Sequence, residues 1–205
     1  MKKIEAEVRL LYVSPENAEE VIAQNRWFCK KNTRENPTEI EIRRSVKSVL
    51  STAHIGLLEH CIASVEIDLS RVASHQLVRH RLASYAQESQ RSSQQEPEVI
   101  LPEYPPEILD RVLLFLDSAY DMYSWLLSSG IKYEDARYIL PQCFATKIRV
   151  TANFRTWIHF LRLRLDPSAQ EEIRRIAEQI QVLFEGVCPL VFSRESIAGY
   201  REVPE

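Results

Sequence analysis

The sequence predicts an α+β fold in which helices pack on an antiparallel sheet. Residues 62–69 and 144–153 alternate apolar with polar side chains, as half-buried strands do. Most other apolar residues recur at helical spacing. With 205 residues, of which 45% are hydrophobic, the chain can bury a core of its own. We therefore expect residues 1–205 to form a single domain without repeats or linkers.

The first half of the chain is predicted to begin with a strand at residues 4–12. Two helices are expected next, at about 15–31 and from Glu39 to Leu50. After the strand at 62–69, Ser70 is an expected N-cap for a third helix. On that helix, i, i+3 and i+4 spacing would group three polar side chains, those of Gln76, Arg79 and His80.

The second half is predicted to contain the longest helix, which begins at Pro105 and Pro106 and ends at Gly130. Its apolar stripe is expected to face the core and consists of Ile108, Val112, Phe115, Ala119, Met122 and Leu126. A further helix should follow the strand at 144–153. Ser168 and Glu171 fit a capping box for the last long helix.

Glycine and cysteine usage excludes several kinds of site. The four glycines are isolated from one another, so neither a GxGxxG dinucleotide fingerprint with its Rossmann domain nor a P-loop is encoded. If this protein binds nucleotides, side chains must hold the phosphates. The four cysteines also lack paired spacing, and we predict no zinc ribbon, redox dithiol or catalytic metal.

Charge and hydropathy favour a cytoplasmic protein. The longest apolar run near the middle, Val112 to Leu116, is too short to cross a bilayer, and no signal-peptide apolar segment is recognisable. The net charge of −3 argues against a general nucleic-acid binder. Locally, however, residues 71–91 are rich in arginine and histidine.

The segment from Arg79 to Arg91 can be written RHRxxSxxxxSxR. It resembles the signature of the flavin-dependent thymidylate synthases, and a random match to its six fixed positions is expected roughly once in 10⁶ to 10⁸ windows. The resemblance extends over most of the chain, at His54, Glu59-His60, Arg137, Asn153, Arg155 and Arg164.

This resemblance implies the residues that bind FAD and dUMP. The expected FAD contacts are His54, Gly56, Arg79, His80, Arg81, Gln87, Asn153, Arg155 and His159. The expected dUMP contacts are Gln76, Arg79, Gln87, Glu88, Ser89, Gln90, Arg91, Arg137 and Arg164. Arginine forks bind phosphate oxygens bidentately, which suits a glycine-poor chain. Arg164 is the predicted catalytic residue, because its charge could stabilise an N3-deprotonated uracil.

The family further implies the reaction and the assembly. NADPH would reduce FAD, methylenetetrahydrofolate would supply carbon, and dUMP would become dTMP in de novo dTMP biosynthesis. Family members are homotetramers with active sites shared between subunits. Neither a membrane nor a nucleic acid is an expected partner.

Four positions depart from the common family pattern, and two other functions remain open. Gln87 replaces a frequent glutamate, Ser92 a tyrosine, Gly56 a hydroxyl residue and His159 an asparagine. A single-stranded nucleic-acid module could instead use the basic helix at 71–81. A catalytically idle relative that only binds a nucleotide is the other alternative. For His54, a purely structural role also remains open.

Overall fold

The computed structural model describes residues 1–52 and 54–200. Its helices are α1 (Ala18–Cys29), α2 (Glu39–Leu50), α3 (Arg71–Leu77), α4 (Pro106–Ser128), α5 (Tyr133–Ala136), α6 (Phe154–Arg164), α7 (Glu171–Val187), α8 (Pro189–Phe192) and α9 (Arg194–Gly199). Its strands are β1 (Lys2–Lys3), β2 (Glu7–Ser14), β3 (Ile62–Ser70), β4 (Ala83–Gln87), β5 (Glu98–Val99) and β6 (Ala145–Asn153). Short 3₁₀ helices span Ile55–His60 and Arg137–Ile139.

The main sheet has the strand order β2-β3-β6-β4, and all its neighbouring strands are antiparallel. This arrangement confirms the predicted α+β class with helices on an antiparallel sheet, which differs from the parallel sheet of a Rossmann domain. The sequence did not reveal the small parallel pair of β1 and β5. A two-residue strand offers too little periodicity to detect.

Several local predictions agree closely with the structure. The helix predicted at 39–50 has those bounds, and the two alternating segments form β3 and β6. Ser70 is the N-cap of α3, where its hydroxyl accepts a hydrogen bond from the Ala73 amide at 3.0 Å. The first strand and α1 begin about three residues later than expected.

Two local predictions were wrong. α3 ends at Leu77, so Arg79 and His80 lie in the following turn and not on a common helical face with Gln76. The proposed capping box at Ser168 and Glu171 is also absent. The Ser168 hydroxyl donates to Asp166 at 2.5 Å, and α7 has Gln170 at its N-cap position. A competing local side-chain bond therefore uses the serine that the motif required.

The main core lies between one face of the sheet and helices α1, α2, α6, α7 and α8. Trp157 and Phe184 meet edge to face there, with ring centroids 5.2 Å apart. The indole of Trp157 also donates to the Ala63 carbonyl of β3 at 3.0 Å, which fixes α6 against the sheet. α6 carries several residues of the predicted site, so this packing positions them.

The opposite face of the sheet is polar. Arg9 donates to both Glu66 and Asp68 at 2.8 Å, and Arg149 donates to Glu66, also at 2.8 Å. Since these side chains come from three adjacent strands, they form a ladder of ion pairs across the sheet.

The expectation that the apolar stripe of α4 faces the core was wrong for Ile108, Phe115 and Met122, although Val112 packs against the small cluster of Val99, Leu116 and Phe144. Phe115 is 64% exposed, and Ile108 and Met122 are about half exposed. α4 instead buries Leu116 and Tyr123. Helical periodicity identifies an apolar face without showing whether the same chain covers it. The exposed face also includes Leu114 and Trp125.

No helix within residues 1–52 and 54–200 is long and apolar enough to span a membrane.

Candidate functional site

The arginine-histidine-arginine triplet forms the turn between α3 and β4. The His80 amide donates to the Leu77 carbonyl at 3.1 Å, and the Tyr85 hydroxyl lies 2.5 Å from the His80 carbonyl. These bonds hold the turn so that His80 is buried while Arg79 and Arg81 are exposed. The turn thus presents two guanidinium groups to solvent on either side of a fixed imidazole.

The buried imidazole of His80 contacts α6. Its ring packs edge-on against Phe160, with centroids 4.9 Å apart, and lies 6.1 Å from the His159 ring. Arg164 Nε donates to His80 Nε2 at 3.0 Å. Because Nε2 accepts this bond, the neutral ring carries its proton on Nδ1.

The same contacts lower the pKa of His80 to about 4 from its ordinary value of 6.5. Burial is the main cause, and the positive charge of Arg164 adds to it, followed by His159. His80 is therefore neutral at pH 7. Among the described residues, Arg164 has no carboxylate partner, so its charge remains available to a ligand.

Asn153 and Arg155 lie where β6 continues into α6. Asn153 is the N-cap of α6, and its side-chain oxygen accepts from the Thr156 amide at 2.9 Å. Arg155 donates to Glu59 at 2.7 Å, which raises the pKa of Arg155. Asn153 thus has a structural role in addition to any role in binding. His159, one turn along α6, is exposed at the surface.

His54 and Gly56 lie at the start of the 3₁₀ helix Ile55–His60. Both residues are exposed, and a Cβ at Gly56 would meet nothing within 4 Å. They line an open pocket of about 400 Å³ together with part of α1. The structure therefore leaves this segment accessible to a ligand.

The loop after β4 is ordered by its own hydrogen bonds. The Glu88 carboxylate accepts from the Lys147 amide at 3.2 Å, and the Ser89 hydroxyl accepts from the Arg91 amide at 3.2 Å. Gln87 contacts Thr146 at 3.4 Å, and Gln90 is buried. Ser89 is exposed and forms no hydrogen bond with a described histidine, which argues against a nucleophile activated within one chain.

Three arginines gather near this loop. Arg91 donates to the Glu134 side chain at 3.3 Å, and Arg137 donates to the Glu134 carbonyl at 3.1 Å. Arg71 lies close enough to Arg137 for their repulsion, in addition to burial, to lower the pKa of Arg71. One buried nitrogen of Arg71, Nη1, has no hydrogen-bond partner. This cluster has the donors and net positive charge to bind a phosphate.

Sequence reasoning missed Arg71 as a candidate. It lies at the first position of α3, eight residues before the recognisable triplet, and helix periodicity alone gave it no special place. The available signal was its position directly after an N-cap serine, in a basic stretch without a nearby acid.

The predicted residues form two groups within one chain. The first group contains Arg79, His80 and Arg164, and the second contains Arg91 and Arg137. β4 separates the two ends of the motif, and its five residues span about 13 Å at the usual strand rise. No hydrogen bond or ion pair among the described residues joins the two groups. Gln76 bonds to neither group and instead donates to Gln170, the residue before α7.

No group of three or more histidine, cysteine, aspartate or glutamate side chains in residues 1–52 and 54–200 could hold a metal ion. A reaction without a catalytic metal remains a prediction.

A family model described as "Thymidylate synthase complementing protein" matches residues 2–190. The chain belongs to this family. Its relatives include flavin-dependent thymidylate synthases of Saccharolobus solfataricus and Sulfurisphaera tokodaii, each 41% identical over 160 residues. Those matches cover 76% of this chain and 62% of each relative. The chain thus spans less than two thirds of the length of these archaeal family members.

A bacterial family member and a solved structure extend the comparison. The flavin-dependent thymidylate synthase of Geobacter sulfurreducens is 38% identical over 167 residues, covering 78% of this chain and 72% of that protein. The crystal structure of a UMP/dUMP methylase, PolB from Streptomyces cacaoi, bound with 5-Br dUMP, superposes with a TM-score of 0.86. It covers 100% of both chains at 21% identity, which shows that the fold is shared.

The lowered pKa of His80 predicts a pH-dependent stability. In the unfolded chain His80 is protonated below about pH 6.5, whereas in the folded chain it is protonated only below about pH 4. Between these pH values the unfolded state binds more protons, so the free energy of unfolding decreases as the pH falls. Between pH 7 and pH 5 the expected loss is about 2 kcal/mol. His80→Gln, which keeps an acceptor for Arg164, should remove this loss in urea unfolding measured at both pH values.

His75→Gln is the matched control, because His75 is an exposed residue of the same region. It should retain the full pH dependence of the unmodified chain. An equal loss of stability in all three proteins would show that His80 does not titrate as described.

Proposed function

We propose that this protein is a flavin-dependent thymidylate synthase that converts dUMP to dTMP with FAD, NADPH and methylenetetrahydrofolate. The observation that carries the proposal is the contact between Arg164 and the neutral, buried His80. It places a positive charge, which has no carboxylate partner in residues 1–52 and 54–200, beside the arginine-histidine-arginine turn of a chain that belongs to this family. The names of the curated relatives support the same activity.

The proposed FAD-binding residues suit an anionic cofactor. Arg79 and Arg81 are exposed and form no ion pair with any described residue, so their guanidinium groups are available to a pyrophosphate. Neutral His80 can donate a hydrogen bond through Nδ1. His54, Gly56, Gln87, Asn153, Arg155 and His159 complete the proposed set. When bound, FAD would supply hydride chemistry, while these residues bind and orient it.

The phosphate of dUMP is proposed to lie against the second group. Arg91 and Arg137 are its expected partners, and the positive charge of Arg71 near Arg137 also favours an anion at this place. Gln87, Glu88, Ser89 and Gln90 would contribute from the loop, with Ser89 positioning the substrate. On the other side of the substrate, Gln76, Arg79 and Arg164 would contact the nucleotide.

Arg164 is proposed to activate the uracil ring. C5 of uracil becomes nucleophilic when negative charge develops at N3 and O4 of the ring. Nε of Arg164 is held by His80, and its Nη groups form no hydrogen bond within the described part of the chain, so they can donate to that charge. Because His80 is neutral, it does not repel the Arg164 guanidinium. It also leaves the positive charge of Arg164 uncancelled.

The separation of the two groups supports a shared site in a homotetramer. A nucleotide that bridges Arg164 and Arg137 can bind most simply where groups from different subunits face each other. The exposed apolar face of α4, with Phe115 64% exposed and Trp125 60% exposed, is the expected contact between subunits. In this assembly a neighbouring subunit would cover the apolar face of α4 that is exposed to solvent in the single chain.

The first test is visible absorption of the purified protein after FAD is added. Retained flavin bands should bleach under anaerobic NADPH, and dUMP should accelerate the bleaching because it completes the site beside the flavin. Product analysis after addition of methylenetetrahydrofolate should show dTMP. Colourless protein that binds single-stranded oligonucleotides would contradict the proposal and favour a nucleic-acid module. Retained flavin without turnover would instead indicate an idle relative.

The role of Arg164 predicts a loss of kcat. Arg164→Ala should lower dTMP formation by about 10² or more, since it removes charge that acts on the transition state. Arg164→Lys should recover only part of the rate, because lysine keeps the charge but lacks the planar fork that lets Nε bond His80 while the Nη groups face the ring. Arg162→Ala is the matched control on the same helix and should keep near-normal kcat. Normal kcat in Arg164→Ala would refute the assignment.

A further inference from the structure

A basic pocket lies between the end of α1 and the 3₁₀ helix Ile55–His60. Its volume is about 400 Å³. Arg26 of α1 and Lys30, the residue directly after α1, line it on one side, and His54 and His60 line it on the other. None of its described lining residues carries a carboxylate. The pocket therefore favours an anionic ligand.

The arginine and the lysine of the pocket have no ion-pair partner among the residues that the structure describes. Arg26 Nη2 donates to the Ser48 hydroxyl at 2.7 Å, while its buried Nε has no hydrogen-bond partner. Neither Arg26 nor Lys30 forms an ion pair with any described residue. Glu59, the one acidic residue of the helix Ile55–His60, is already bonded to Arg155. An arginine and a lysine that line one pocket without a described carboxylate partner are suited to a ligand carboxylate or phosphate.

The position of the pocket narrows the choice of ligand. His54 and Gly56 belong both to this pocket and to the proposed FAD-binding set. A ligand in this pocket would therefore lie next to the proposed FAD site. The folate co-substrate must lie close to the flavin and to dUMP at its pteridine end. Its other end carries glutamate carboxylates, and each further γ-linked glutamate adds another negative charge.

We propose that this pocket binds the glutamate carboxylates at the tail of the folate co-substrate, with Arg26 and Lys30 as their main partners. The inference rests on the proposed function, because it requires folate to bind. The pyrophosphate of FAD is a second source of anionic oxygens, and the experiment separates the two.

The test compares folates that carry one or several glutamates. Calorimetry would measure the dissociation constants of mono- and polyglutamylated folic acid for the FAD-loaded protein, and steady-state assays would give KM for the corresponding methylenetetrahydrofolates. The unmodified protein should bind the polyglutamylated form more tightly. Lys30→Gln should reduce this preference by roughly fivefold, the effect of one partly exposed charge-assisted contact, and 0.5 M salt should do the same.

Control variants separate charge in the pocket from charge elsewhere. Lys31→Gln makes the same charge change at the neighbouring position, which does not line the pocket, and should keep the preference. Arg26→Gln should also lower the preference, and thermal unfolding would show whether loss of the Ser48 bond destabilises the chain. Because Lys30 forms no described side-chain bond, its variant is expected to fold normally.

Each outcome has a definite meaning. An unchanged preference in Lys30→Gln and Arg26→Gln, with normal dTMP formation, would overturn the inference and leave the proposed function intact. Weaker FAD retention with an unchanged folate preference would assign the pocket to the pyrophosphate and also overturn it. If the unmodified protein binds no folate and forms no dTMP, the proposed function itself fails.

Discussion

The pairing of β4 with β6 determines where the functional residues lie. The motif from Arg79 to Arg91 contains this strand, and the register that pairs Ala83 with Ala152 and Gln87 with Ile148 extends it fully. One end of the motif is thereby held against α6, beside Arg164. The other end reaches Lys147 and the arginines around Glu134. A short, continuous sequence signature therefore becomes two separate groups of ligand-binding side chains.

Both groups contain several arginines but few anionic side chains, among the described residues, that could pair with them. In the first group, a buried neutral imidazole orients Arg164 without neutralising it. In the second group, the side chain of Glu134 accepts a hydrogen bond from Arg91 and its backbone carbonyl accepts one from Arg137. Nη1 of Arg71 has no hydrogen-bond partner among the described residues. Uncompensated buried or half-buried charge destabilises a chain, so its retention points to ligands that supply the missing anions. A chain with four isolated glycines depends on such side chains for phosphate binding.

The sequence predicted the parts of the fold that depend on local periodicity. β3, β6 and α2 follow from alternation and helical spacing, and the N-cap role of Ser70 follows from its position. Contacts between residues that are distant in the sequence could not be predicted from local periodicity. The helical grouping of Arg79 and His80 failed because Tyr85, from the next strand, holds their turn. The prediction for the apolar stripe of α4 failed because the sequence pattern of an apolar helix face is the same whether it packs against its own chain or against another one. The motif supplied the candidate site residues, but Arg71 was recognised only from its proximity to Arg137 in the structure.

The most direct test of a site shared between subunits is complementation between two inactive variants. Arg91→Ala and Arg164→Ala each remove one group, and differently tagged copies can be expressed together and purified as mixed oligomers. If the two arginines act from different subunits, some sites in the mixture contain both, and dTMP formation should recover to roughly a quarter of the normal rate by random assembly. If both arginines act from one chain, no site is intact. Activity in the mixture would then stay at the level of the separate variants, which would contradict the shared site.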